Sequence, residues 1–107
     1  MSSPFNFANV DDTVHARTRL AVLTYLASVE SADFKSVREA TGTTEGNLSV
    51  HLQKLEAAGY VALAKSFLGR RPNTRASITD AGRDALIDHI DQLEAAFSKA
   101  RRALKRR

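Results

Sequence analysis

The stretch TTEGNLSVHLQKLEAAGYV, residues 43–61, runs straight into ALAKSFLGRRPNTRASIT, residues 62–79, and together they decide the fold. Leu48, Leu52 and Leu55 follow i, i+4, i+7 spacing, which puts all three on one stripe of a 3.6-residue helix and gives it a core face. The opposite arc carries Gly46, Asn47, Ser49, Val50, Gln53 and Lys54. Thr43 or Thr44 supplies an N-cap oxygen, and Gly59 stands where a left-handed C-cap residue is wanted. Just upstream, SVREAT at 36–41 reads as a short helical stretch ending at Gly42. The Gly42-Thr43 turn then sets two helices at a steep angle.

After Gly59, residues 60–66 alternate loosely, and residues 74–79 contain a second short run ending in Ile78. Between them FLGRRPN reads as a turn by its Gly and Pro content. No acidic residue occurs from Ala57 through Thr79, while Lys65, Arg70, Arg71 and Arg75 do. Two helices, then two strands joined by a basic turn, make the skeleton of a winged helix-turn-helix. The fold class expected is mainly α with a small antiparallel hairpin, α+β.

The chemistry of the two parts agrees with that skeleton. Asn and Gln side chains pair with adenine edges, Val touches a thymine methyl, and Lys reaches guanine or phosphate. A hairpin of uniform positive sign suits a phosphate backbone. Each part alone has an ordinary reading, a polar surface helix or a solvated basic loop; their succession is the more specific signal.

Several segments in order, HARTRLAVLTYL, EGNLSVHLQKLEAAGYV, KSFLGRRPNT and ITDAGR, carry a resemblance to small winged-helix transcriptional regulators of the MarR and ArsR groups. It spans residues 14–97. The resemblance implies that residues 44–58 are the recognition helix, beginning at Thr44, that residues 67–73 including Asn73 are the wing, and that the last long helix dimerises. Where such regulators often carry an aromatic in the strand after the wing, this chain has Ala76.

Composition narrows the class. At 107 residues the chain is expected to be a single domain with a modest core, one that gains from a partner. It has no cysteine, so disulfides and thiolate metal sites are excluded. No apolar run approaches membrane-spanning length and no leader is evident, so a cytoplasmic protein without membrane contact is expected. The net charge of +4 is local: residues 99–107 (KARRALKRR) hold six of the 16 bases, which leaves ten bases against 12 acids before them. Asp80, Asp84, Asp88, Asp91 and Glu94 occupy the early part of the last helix, where carboxylates suit its positive end, and the cationic tail suits the other end or an acidic partner.

Residues 1–10 read as an arm whose Phe5, Phe7 and Val10 are too apolar for free solvation and should pack, a second subunit being one candidate. Asp11 or Asp12 offers a cap to the first helix, whose Leu20, Val22, Leu23, Leu26, Ala27 and Val29 make a broad buried face. Phe34 precedes the second helix, and the resemblance suggests a short edge strand there. In residues 80–107, Leu86, Ile90, Leu93, Phe97, Ala100 and Leu104 advance by four and three in turn, a heptad-type seam. A terminal helix folding back on its own core would cover Leu86 and Ile90 but leave Phe97 and Leu104 exposed. A homodimer is therefore expected.

His15 has no partner in sequence, His51 flanks the recognition helix, and His89 lies beside Asp88 and Asp91 without the further histidines a zinc site needs. No serine elbow or phosphate loop is present, so neither an enzyme nor a cofactor is expected, and no pattern specifies a small-molecule effector. Two readings remain: a homodimeric regulator that binds double-stranded DNA at an inverted repeat, or a winged-helix adaptor whose basic wing and tail meet an acidic protein. Asn47, Ser49 and Gln53 favour the first, since an adaptor would show large apolar residues there.

Overall fold

The computed structural model describes residues 16–106. The elements in chain order are α1 (Arg17–Ala27), β1 (Ala32–Asp33), α2 (Phe34–Thr41), α3 (Glu45–Ala57), β2 (Val61–Leu68), β3 (Arg71–Ile78) and α4 (Asp80–Lys105). The strands form one antiparallel sheet in the order β1-β3-β2. The α+β winged helix expected from sequence is the fold observed. Asp11, Asp12, His15 and the arm with Phe5, Phe7 and Val10 lie outside the described residues.

Apolar periodicity places the core. Val22, Leu23 and Leu26 of α1, Val37 of α2, and Leu48, Leu52 and Leu55 of α3 meet Val61, Ala76, Ile78 and Leu86 in one buried cluster. Each fully buried Leu or Val of this set contributes ~1.5–3 kcal/mol over its exposed state. Leu20 and Val29 pack on the cluster's edge, whereas Ala27 is exposed on the last turn of α1, outside the face expected to bury it.

Local chemistry sets the boundaries. Asp33 caps α2 by accepting the Ser36 N–H at 2.8 Å, and Gly42 closes that helix at φ 68°. Thr44, rather than Thr43, caps α3, its Oγ1 accepting the Asn47 N–H at 3.2 Å. At the other end Tyr60 N–H reaches Leu55 O and Gly59 N–H reaches Glu56 O, both at 2.9 Å, with Gly59 at φ 82°. That paired return is the Schellman closure. The edge strand expected near Phe34 exists two residues earlier, where Ala32 and Asp33 pair with Ala76 and Arg75; Phe34 is already helical because the Asp33 cap starts α2 there.

The wing is longer and tighter than FLGRRPN suggests. Both strands continue to its tip, pairing Phe67 with Pro72 and Leu68 with Arg71, and only Gly69 and Arg70 remain as the turn. Gly69, at φ 65°, supplies the first central residue that a II′ turn asks for. Pro72 is tolerated in a strand because β1 covers β3 only at Arg75 and Ala76, so no second ladder needs its missing N–H. Ala76 is buried between Ala32 and Leu63, where no larger side chain is needed.

Thr79 ties three elements together. Its Oγ1 donates to Gly59 O at 2.6 Å and accepts the Gly82 N–H at 2.9 Å, linking the end of α3 to the start of α4. From there α4 runs 26 residues, about 39 Å at ~1.5 Å per residue. Against molecular extents of 62 × 24 × 23 Å, its far half projects past the domain.

Candidate nucleic-acid interface

With Leu48, Leu52 and Leu55 facing the core, the rest of α3 is free. Thr44, Gly46, Asn47, Ser49, Val50, Gln53 and Lys54 are all exposed, as their spacing implies. His51 is half-buried on the flank, with Arg19 Nη1 3.3 Å from its Nδ1. Arginine has no acceptor, so the guanidinium donates to a neutral ring. Burial lowers the His51 pKa, and the charges of Arg19 and Lys54 lower it further.

The wing stands beside this helix. Past the Leu63–Ala76 pair every β2 residue is exposed, and Lys65, Arg70 and Arg71 are exposed with them. The tip also carries Phe67 and Leu68, 72% and 67% exposed, which sequence reading assigned only to a turn.

Between helix and wing lies an open cleft of about 490 Å³. Ser49 and Glu45 of α3 line one wall, Pro72, Asn73 and Thr74 of the wing another, and Asp33, Phe34, Lys35 and Arg38 the floor. Two of the predicted groups, Ser49 and Asn73, are thus brought to one site. Lys35 and Arg38 were missed: they sit three residues apart on a short helix whose direction only the tertiary fold reveals. Asp33 stays ionised within this cationic floor, because the backbone and side-chain hydrogen bonds from Ser36 hold its pKa down, aided by Arg75 and Lys35.

A polar helix and a cationic hairpin flanking one cleft is the arrangement by which a protein meets a nucleic-acid groove, and residues 18–97 match the family of the winged helix DNA-binding domain. The chain belongs to that family. This winged helix is 36% identical over 75 residues to an uncharacterized protein of Methanocaldococcus jannaschii, covering 70% of this chain and 82% of that protein. A transcriptional regulator homologue of Pyrococcus horikoshii superposes with a TM-score of 0.73 at 28% identity, covering 80% of this chain and 85% of that one. A MarR-family regulator of Enterococcus faecalis shares the fold, with a TM-score of 0.68 at 21% identity, over 89% of this chain and 84% of that one. Family and fold are those of winged helix transcriptional regulators, which bind DNA and are not enzymes.

Within this winged helix, Arg75 stands apart from the other wing cations. Its Nε and Nη2 donate to Ser31 Oγ at 3.1 and 2.9 Å, and Nη2 lies 3.3 Å from Ser31 O. The side chain ties β3 to the loop before β1, at the base of the wing.

The expected seam on α4 divides. Leu86 is buried in the subunit's own core and Leu93 is half-buried, so Leu86 serves the fold and is closed to a partner. Ile90, Phe97 and Leu104 are 41%, 61% and 74% exposed, and Ile87, missed because it lies off the heptad, is exposed too. Ile90, which a terminal helix folded back on its own core would cover, is exposed instead. His89 is buried beside Leu86, lining a small cleft with Tyr60, Asp84, Asp88 and Gln92. Among the described residues no cluster of three metal-ligating side chains occurs, and no helix is long and apolar enough to cross a membrane.

Proposed function

We propose that this chain is a sequence-specific regulator that binds double-stranded DNA as a cytoplasmic homodimer on an inverted-repeat operator. The observation that carries the reading is the shared cleft, with the exposed arc of α3 on one side and the wing on the other. Along that arc Asn47, Ser49, Val50 and Gln53 read base edges in the major groove, while Thr44, Gly46 and Lys54 meet the flanking backbone. Lys65, Arg70, Arg71 and Asn73 follow the phosphates toward the neighbouring minor groove, and Phe67 and Leu68 lie against its walls. Arg75 supports the wing's base from its bonds to Ser31.

One recognition helix covers only a few base pairs, and a two-fold dimer supplies the second half-site. Exposed Ile90, Phe97 and Leu104 support such pairing. An adaptor for an acidic protein is the weaker reading, since Val50 is the one large apolar residue on the outer arc of α3.

Selection of bound duplexes from randomised DNA tests the reading. Enrichment of an inverted repeat with half-sites about one helical turn apart is expected. Recovery of unrelated sequences, or of single half-sites at full affinity, would overturn it.

A further inference from the structure

The geometry points to an antiparallel pairing of the far half of α4 with the same segment of a second copy of this chain, about a two-fold axis between residues 98 and 99. The inference rests on the homodimer reading and fixes the direction and register that reading leaves open.

The heptad comes first. Ile90, Phe97 and Leu104 recur every seven residues, with Leu86, Leu93 and Ala100 at the intervening seam positions. With Leu86 in its own core, the positions left for a partner are Ile90, Leu93, Phe97, Ala100 and Leu104. When two such helices run antiparallel, the seam residues that share a layer have a constant sum of positions, and the pairs on the two flanks fall two below or two above it. One register puts Phe97 against the Ala100 position of the other copy and Leu93 against its Leu104 position. A large side chain then meets a small one in the central layers, on both sides of the axis.

The flanking positions decide direction. Glu94 and Arg101 hold the same flank, one heptad apart, and both are exposed. Neither has an opposite charge three or four residues away along α4, where helical neighbours stand. In the register above, Glu94 of one copy faces Arg101 of the other, twice by symmetry. The opposite flank brings Ala96 beside Ala103, letting the helices approach closely. A parallel pair would set Arg101 against Ala96, and Glu94 against His89, which is buried in its own subunit. It would also stack Phe97 on Phe97. The charges of this helix are self-complementary only when it is reversed.

The register also has a consequence for DNA. Leu86 marks where α4 enters the domain core and lies about 12 residues from the axis. Doubled through the axis, that places the two cores roughly 37 Å apart along the helices at ~1.5 Å per residue. One turn of B-DNA is about 34–36 Å, so this pairing spaces the domains for adjacent half-sites on one face of the duplex.

The absence of cysteine from the chain makes the test clean. Leu93→Cys and Leu104→Cys proteins are prepared separately, checked by circular dichroism, and oxidised alone or after mixing. In the antiparallel register like positions stand roughly 16 Å apart, beyond disulfide reach, whereas unlike positions share a layer. A covalent dimer in the mixture and little in either protein alone is the expected result. Efficient linking of each protein alone would overturn the antiparallel direction. No linking in any arm while sedimentation still shows dimer would overturn the seam, and monomer throughout would overturn the homodimer reading itself. As a second arm, Glu94→Arg and Arg101→Glu should each weaken the dimer about tenfold and the double exchange should restore it. Failure of the double exchange to restore dimerisation would remove this ion pair from the register.

Discussion

The carbonyl oxygen of Tyr60 lies directly over the Cα of Gly82, so that a Cβ added there would overlap it and come within 2.9 Å of Ile78 Cγ1. The contact sets α4 against the base of the wing, beside the Thr79 bonds to Gly59 and Gly82. Gly82→Ala would normally gain ~1 kcal/mol of helix propensity. Here the neighbour is backbone and cannot swing aside, so a net loss of about 1–3 kcal/mol is expected, as for an overpacked core. Urea denaturation of the variant checks this, and a midpoint at or above that of the parent would show that the helix shifts without cost.

Base readout should reside in α3. Asn47 and Gln53 project from the side opposite Leu48 and Leu52, and the α3 cap depends on Thr44 and the Asn47 backbone, leaving the Asn47 side chain spare. Asn47→Ala or Gln53→Ala should relax preference at one or two positions of each half-site by about 1–3 kcal/mol of discrimination, with circular dichroism unchanged. Binding profiles across a randomised duplex library measure it; identical profiles for both variants would take this helix out of the reading role.

The wing cations should separate by position. Arg70→Ala with Arg71→Ala removes charge at an exposed tip, so binding to specific and unrelated duplexes should fall alike. The slope of log affinity against log salt should flatten by about 1–2 units. Arg75→Ala instead breaks the bonds to Ser31 and should lower thermal stability while leaving the salt slope close to the parent's. Fluorescence anisotropy over a salt series, beside thermal melts, distinguishes the two. An equal slope change from Arg75→Ala would place that side chain on the phosphates.

His51 gives the fold a pH dependence of definite sign. Burial first, then Arg19 and Lys54, lowers its pKa in the folded state below the ordinary value near 6.5. The unfolded chain therefore takes up the proton first. Its stabilising contribution is complete above that value and is lost as pH falls through the lowered folded pKa. His51→Gln should show a shallower loss of stability between pH 7.5 and pH 5 than the parent in chemical denaturation. Asp33 acts in a separate, lower window: its depressed pKa supports the fold above the ordinary carboxylate value of 3.8, and that support disappears in stronger acid. Parallel stability profiles for parent and His51→Gln would mean that the ring titrates as it does in the unfolded chain.

What the sequence made legible was local. Leu48, Leu52 and Leu55 fix the face of α3, Thr44 and Gly59 fix its ends, and the charge of the hairpin needs no coordinates. Tertiary relations were not legible. Gly82 reads as a helix-weakening residue until Tyr60 is seen above it, Arg75 as one more wing cation until Ser31 is seen beside it. Lys35 and Arg38 join the cleft only because α2 turns its first residues toward the wing. The strands outran the FLGRRPN turn because Pro72 is costly only in a fully paired strand, and the shortness of β1 cannot be read from the hairpin itself.

Phe97 is the position at which assembly and DNA binding should fail together. It is 61% exposed in the single chain, so a charge there meets water in the monomer and leaves the domain core untouched. In a dimer seam the same charge must be desolvated without a partner, at a cost of several kcal/mol if fully buried. Phe97→Glu should thus sediment as a monomer at concentrations on the order of tens of micromolar, where the parent is a dimer, with an unchanged far-ultraviolet spectrum. Affinity for a two-half-site duplex should drop further than with the Arg70 and Arg71 substitutions, because the second half-site is then no longer held at high local concentration. Affinity for an isolated half-site should hardly change. A Phe97→Glu protein that remains dimeric, or that loses half-site binding as well, would show that this residue serves the fold of the subunit and not its pairing.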